Sequence, residues 1–124
     1  TEALREYHCG ILEGKSDEES WRLHRQFYED WTLRHHYTSK PEGGESFIDI
    51  QNRFLPFIES LKRDDDEDIL LVGHGGLFHL MLPLILNNVD DEFVNSHGIG
   101  HTECVVAELQ TDGFKCLQWG DTQF

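Results

Sequence analysis

Ile69-Leu70-Leu71-Val72-Gly73-His74-Gly75-Gly76 is the stretch on which the reading of this fold turns. Its first four residues form an uninterrupted apolar run, the pattern of a parallel strand covered on both faces rather than one with a wet side. Gly73 to Gly76 then makes a turn, and Leu77 to Leu86 resumes as a strongly apolar helix despite Pro83. Strand, glycine-rich turn and buried helix together define an α/β unit.

On the carboxyl side, Asp90 to Asn95 is predicted as a short helical turn, Ser96 to Gly100 as a loop and Cys104 to Leu109 as a strand. Thr111-Asp112-Gly113 turns that strand back into a last one, Phe114 to Trp119. On the amino side stands the run Asp64-Asp65-Asp66-Glu67-Asp68, read as a solvated turn, with a site for a hard cation as the alternative. Before it, Ser46 with Asp49 opens a helix whose apolar positions Phe47, Ile50, Phe54, Phe57, Ile58 and Leu61 form one stripe. Pro56 must bend this helix or sit on its outer face. An earlier helix is predicted from the capping box Ser16-Asp17-Glu18-Glu19, carrying Trp21, Tyr28, Trp31 and His35 at helical spacing and ending before Pro41. Residues 1–15 read as loop or extended chain.

This inventory contains a contradiction. A strand buried on both faces needs neighbours on each side, yet the only other strands pair with each other as a hairpin. The sheet is incomplete as read. The chain also starts with Thr1 and shows no targeting segment that would explain a removed Met, so it is expected to be a piece of something longer.

Composition bounds the function. With 124 residues the length suits one domain, and 24 Asp plus Glu against 10 Lys plus Arg give a net charge of −14. That balance argues against nucleic acid and anionic membrane surfaces, which are bound through Lys and Arg. No apolar run approaches the ~18–20 residues of a membrane span. Cys9, Cys104 and Cys116 form no CxxC pair and no even disulfide set, which fits buried thiols in a reducing cytoplasm.

Among residues suited to chemistry, His74 stands where open α/β sheets place their ligands, at the carboxyl end of the predicted strand. Gly75 and Gly76 free the backbone there to approach an anion, and the N–H groups opening the next helix would complete the nest. The plainer reading of His74 is a histidine that caps a turn. Glu6, in a polar loop, reads by itself as a surface carboxylate. His97 and His101 are four apart but separated by Gly98 and Gly100, so they read as loop histidines rather than metal ligands on a helix. His79 reads as a satisfied core histidine.

Four segments, taken together, resemble the histidine phosphatase superfamily, the group that includes cofactor-dependent phosphoglycerate mutases. They are Leu4-Arg5-Glu6 followed by Gly10-Ile11-Leu12-Glu13-Gly14; Pro41-Glu42-Gly43-Gly44-Glu45-Ser46 with Arg53; Ile69 to Gly76; and His101-Thr102-Glu103-Cys104. The resemblance implies an α/β three-layer sandwich with a mostly parallel central sheet, residues 1–124 being a single domain that forms the carboxyl-terminal portion of the fold. It also implies phosphoryl transfer through a phosphohistidine. Glu6 matches the carboxylate that protonates the leaving oxygen, and His74, with the Gly75 N–H, matches the histidine and donors that stabilise the transferring phosphoryl group. Tyr7, His8 and Cys9 would line the substrate pocket. Leu12 stands where an aromatic is common, and Glu45 with Arg53 matches a pair that organises a helix start.

One departure matters most. The family's nucleophile lies in an Arg-His-Gly turn after its first strand, and this turn is absent; so is a second phosphate-binding arginine. The only Arg-His pair, Arg34-His35, falls within a predicted helix with no strand before it. The nucleophilic histidine is therefore expected upstream, in a missing amino-terminal segment of the same fold that would also supply the neighbours Ile69 to Val72 lacks. The implied substrate is a small phosphorylated metabolite or a phosphoprotein, with no metal and no organic cofactor. The alternatives are a catalytically inactive binding or scaffolding module and a phosphoglycerate mutase; a metal hydrolase ranks last, for want of a tight ligand motif.

Overall fold

In the computed structural model, which describes residues 1–63 and 68–124, four helices precede a small sheet. The helices are α1 (Glu18–Thr32), α2 (Phe47–Leu61), α3 (Gly75–Ile85) and α4 (Asp91–His97). The strands are β1 (Val105–Gln110), β2 (Gly113–Trp119) and β3 (Thr122–Gln123), antiparallel in the order β1-β2-β3. Short 3-10 turns at Glu2–Leu4 and Gly10–Leu12 punctuate the first segment, which the sequence presented as plain loop. Most of the acidic run falls on residues 64–67, outside the described residues, and with it both readings of that run.

α2 is the best-specified element. Ser46 accepts from the Asp49 N–H while Asp49 accepts from the Ser46 N–H, a closed capping box that satisfies donors at both ends of the first turn. Its stripe buries Phe47, Ile50, Phe54 and Ile58, while Pro56 lies on the exposed outer face. Leu77, Leu80 and Met81 of α3 pack against that stripe, with Leu4 and Trp31 closing the cluster. A second cluster joins Leu86, Val89 and Val94 to Cys116 and Trp119 of β2. Asn88 fastens this part by side-chain mimicry of a strand: its amide accepts from Cys116 N at 2.8 Å and donates to Cys116 O at 3.0 Å.

α1 begins one residue later than its sequence suggests. Asp17, not Ser16, is the cap, because its carboxylate takes both the Ser20 N–H and the Ser20 hydroxyl; Glu19 is drawn away to Arg22. The helix ends at Thr32, so His35 is not on it. His35 sits in a turn with φ 57°, exposed, its ring against the Tyr37 hydroxyl. Trp31 is buried as expected, but Trp21 is 55% exposed. His97 belongs to α4 rather than to a loop, stacked on Phe93, and Gly98 at φ 64° ends the helix before His101. His79 is only half-buried, held by Asn95 and the edge of Tyr28, so it is not a core residue.

The largest correction concerns Ile69 to Val72. Among the described residues nothing pairs with this segment, and it forms no strand. Leu70 and Val72 are 84% and 78% exposed. A strand exists only by hydrogen bonding to a neighbour, and apolar side chains left in water forgo about 1.5–3 kcal/mol each. The sheet that does form is antiparallel; a lone parallel bridge, Leu86 to Phe114, touches it. Between the unpaired segment and the outer edge of β1 lies an open groove of about 360 Å³ lined by Leu70, Leu71, Phe78, Val105, Ala107 and Leu109 among others.

The amino-terminal segment is tied to α2 through the Arg53–Glu45 ion pair, onto which Ala3, Arg5 and His8 bond. Arg53 grips Glu45 with two parallel hydrogen bonds, Nε to Oε2 at 2.8 Å and Nη2 to Oε1 at 3.1 Å, and its remaining nitrogen donates to Ala3 O at 2.9 Å. Glu45 also accepts from His8 N. Burial alone would raise the Glu45 carboxyl, but the Arg53 hydrogen bonds and the His8 N–H outweigh it and hold the group below the usual carboxylate range. A carboxyl whose folded-state value is depressed contributes stability above its unfolded value and loses it as pH falls through the folded one. Stability is therefore expected to decline on acidification below about pH 4.5, the ordinary value of a free Glu carboxyl. Glu45→Gln should cost about 1–3 kcal/mol at neutral pH and flatten that acid limb in urea melts at a series of pH values.

Candidate active site

The amino-terminal end of α3 is where the sequence-selected residues meet. His74 is the N-cap, in extended conformation, and its side chain makes no capping bond. Its imidazole is exposed and hydrogen-bonds to none of the described residues. Gly75, also exposed, opens the helix. The first N–H groups of any helix lack intrahelical acceptors and carry the positive end of the helix dipole, so this end favours an anion.

Glu6 already takes part of that field. Its Oε2 accepts from Gly76 N at 3.0 Å, and its Oε1 accepts from the N–H of the next residue, Tyr7, at 3.1 Å. Seventy residues of chain separate the two partners of the first bond. Only glycine permits this approach: a Cβ on Gly76 would lie 2.8 Å from both Glu6 oxygens and 2.7 Å from the Tyr7 ring. At Gly75 the nearest atom would be Ile99 O at 3.7 Å, an ordinary contact. The two adjacent glycines thus have different reasons to be there. Gly76 makes room for a carboxylate; Gly75 leaves an N–H and its surroundings open.

The segment that carries Glu6 is held from below. Gly10, at φ +57°, lets the chain press against the 41–46 loop, where a side chain would collide with the Glu42 carbonyl. Ile11 N donates to Glu42 O, and Glu45 N to His8 O, both at 2.9 Å. The His8 ring turns to its own loop, Nδ1 accepting from Gly10 N. Cys9, whose N–H donates to Glu13, is partly covered, and burial together with the Glu13 charge pushes its thiol up to about 11, so it stays protonated.

Tyr7 forms a wall beside Glu6. Its ring stacks on His24 at 5.9 Å and meets the edge of Trp31 at 5.7 Å. Its hydroxyl lies 3.1 Å from His24 Nε2. Burial, reinforced by the neighbouring Cys9 and Glu6, holds this phenol well above its usual range, so it remains a donor. His24 was not singled out from the sequence, although Trp21, His24, Tyr28 and Trp31 fall on one helical face. Among the described residues no three His, Cys, Asp or Glu side chains converge as a metal site, and no helix is long and apolar enough to cross a membrane.

A helix N-terminus bearing an open histidine and N–H, with a carboxylate held two residues along it, has the chemistry to receive an anion next to a proton-carrying group. The family model of the histidine phosphatase superfamily (branch 1) matches residues 1–122, and the chain belongs to that superfamily. Among solved structures it is similar to Bacillus stearothermophilus YhfR, at 27% identity and a TM-score of 0.76, covering 99% of this chain and 61% of that one. A mycobacterial glucosyl-3-phosphoglycerate phosphatase in complex with inorganic phosphate (22% identity, TM-score 0.68, 98% and 64% covered) shares the fold. So does mycobacterial hydrolase 1 (20% identity, TM-score 0.67, 98% and 64% covered). The chain thus spans less than two thirds of the length of each of these structures. No curated protein matches it.

The glycines give a direct test of the geometry. Gly76→Ala should destabilise by about 1–3 kcal/mol, the usual cost of forcing atoms into a filled space. Gly75→Ala should be neutral or stabilise by up to about 1 kcal/mol through helix propensity. Denaturant melts of the two variants side by side check the contrast.

Proposed function

We propose that these residues form the acid and phosphate-stabilising part of a phosphatase that works through a phosphohistidine on a small phosphorylated metabolite or a phosphoprotein. The observation that carries the proposal is the meeting of Glu6 and His74 at one helix N-terminus, with Glu6 held on Gly76 N. Phosphoryl transfer asks for in-line positioning and for donors on the equatorial oxygens. His74 and the Gly75 N–H supply such donors where the helix dipole adds to them. Glu6, fixed by two N–H groups, would pass to the leaving oxygen a proton that its carboxyl takes up when the anionic substrate binds beside it. Tyr7 and His8 would border the substrate.

The nucleophilic histidine and the further phosphate-binding arginine are assigned to a segment of the same fold outside these 124 residues. Arg34-His35 does not serve, since His35 lies in an exposed turn with its ring engaged by Tyr37. The same segment would occupy the groove beside Ile69 to Val72 and complete a three-layer sandwich with a mostly parallel central sheet, residues 1–124 being the carboxyl-terminal portion of that one domain. Metal and organic cofactors play no part in this scheme, nor do nucleic acid or membrane, and the expected compartment is the cytoplasm. A second reading is favoured by the absence of a nucleophile among the described residues at the site: a catalytically inactive binding or scaffolding module that keeps the pocket. A mutase is the remaining alternative.

The deciding experiment restores the reading frame upstream of Thr1. If it encodes Arg-His-Gly and the product hydrolyses p-nitrophenyl phosphate without added metal, the enzyme stands; a parent lacking that turn is the binding module. In the active protein His74→Ala should lower turnover by ~10²–10³, the scale for losing an oxyanion donor. Full activity in that variant removes His74 from the site. The 124-residue chain alone should give no phosphohistidine after treatment with a phosphodonor, and a stable phosphohistidine on it, detected by mass spectrometry, would overturn the assignment of the nucleophile elsewhere.

A further inference from the structure

α1 borders the site through side chains on one face, and among the described residues His24 is the one of them that meets the Tyr7 hydroxyl. The helix contributes no backbone to the α3 N-terminus, yet His24 covers one face of the Tyr7 ring and meets its hydroxyl at 3.1 Å. Trp31, two turns further along the same face of α1, meets the ring edge-on and is itself fixed by its indole N–H on Ser39 O at 2.6 Å. Trp21 packs edge-on to His24 from the solvent side. Tyr7 is thus held on its face, its edge and its hydroxyl, while its own N–H holds Glu6 Oε1 and its ring borders Gly76. Glu6 has no other tether than Tyr7 N and Gly76 N among the described residues. Its carboxylate can be no better placed than Tyr7.

We propose that His24 is a positioning residue for the acid step: it fixes Tyr7 through its ring face and Nε2, and through Tyr7 it fixes the Glu6 carboxylate on the α3 N-terminus. The bond matters in addition to the stacking. The phenol stays protonated, and its hydrogen bond with Nε2 fixes where the hydroxyl end of the ring sits. Loss of that bond would leave the ring packed but free to slide, and misplacement of a catalytic group by even ~1 Å is enough to lower turnover.

This inference rests on the phosphohistidine reading, and two readouts separate the failure of one from the failure of the other. In the phosphatase with its nucleophilic segment restored, His24→Ala should lower kcat by ~10-fold with KM within ~2-fold, the signature of an interaction used in the transition state and not in substrate binding. His24→Gln, whose amide also meets a phenol, should return kcat to within ~3-fold of the parent, and Tyr7→Phe should add little to His24→Ala because the two act as one unit. In the 124-residue chain itself, hydrogen-exchange protection of the Gly76 amide should fall in His24→Ala and recover in His24→Gln. If the parent shows no phosphatase activity, the phosphohistidine reading fails, and the Gly76 amide alone decides the role of His24. Unchanged kcat and amide protection in His24→Ala overturn the proposal, as does a loss that His24→Gln fails to rescue, which would mark His24 as merely structural.

Discussion

Arg53 and Glu45 form the joint on which the arrangement depends. Both lie where little water reaches, with side chains 16% and 13% exposed, and the guanidinium engages the carboxylate by a two-point fork. A partly buried pair of this kind is costly to desolvate and becomes favourable only when the remaining lone pairs and protons are satisfied. Here they are: His8 N and Arg5 supply donors to Glu45, and Ala3 O accepts from Arg53. The consequence is geometric. The segment from Glu2 to Cys9 has almost no regular structure of its own, yet it is locked to the most strongly specified helix, and Glu6 is carried to the N-terminus of the next one.

That division explains what could be read from the residues alone. α2 was legible because stripe, capping box and loop glycines all point to one answer, and a helix needs no partner to show its period. The β1–β2 hairpin was legible for a similar reason, since its turn lies within the pattern. His74 was picked out by its place after the apolar run and Glu6 through resemblance; their meeting, through Gly76 N, is a contact across 70 residues, which no local pattern encodes. Tertiary competition was the other source of error: Asp17 outbid Ser16 as a cap by taking two bonds on Ser20, and α1 stopped at Thr32, short of His35. His24 was missed because an aromatic stripe reads as core, whereas here one member of it faces a tyrosine hydroxyl.

Ile69 to Val72 is the instructive failure. The apolar run was read correctly as chemistry and incorrectly as structure, because a strand is a property of two chains of backbone and not of one. The helix that follows forms anyway, since Leu77, Leu80 and Met81 find α2 without the strand's help. The arrangement at its N-terminus therefore does not depend on a strand at Ile69 to Val72.

The unpaired segment also sets how these 124 residues behave in solution. Exposed apolar side chains beside an open strand edge form a template for edge-to-edge association, the hazard that folded sheets normally cover. A net charge of −14 on so short a chain works against it, because like-charged molecules repel before their edges can meet. That repulsion is screened within about 8 Å at physiological salt and about 3 Å at 1 M. Salt, which would barely touch the packed α2–α3 core, thereby becomes the variable that decides whether the chain stays dispersed.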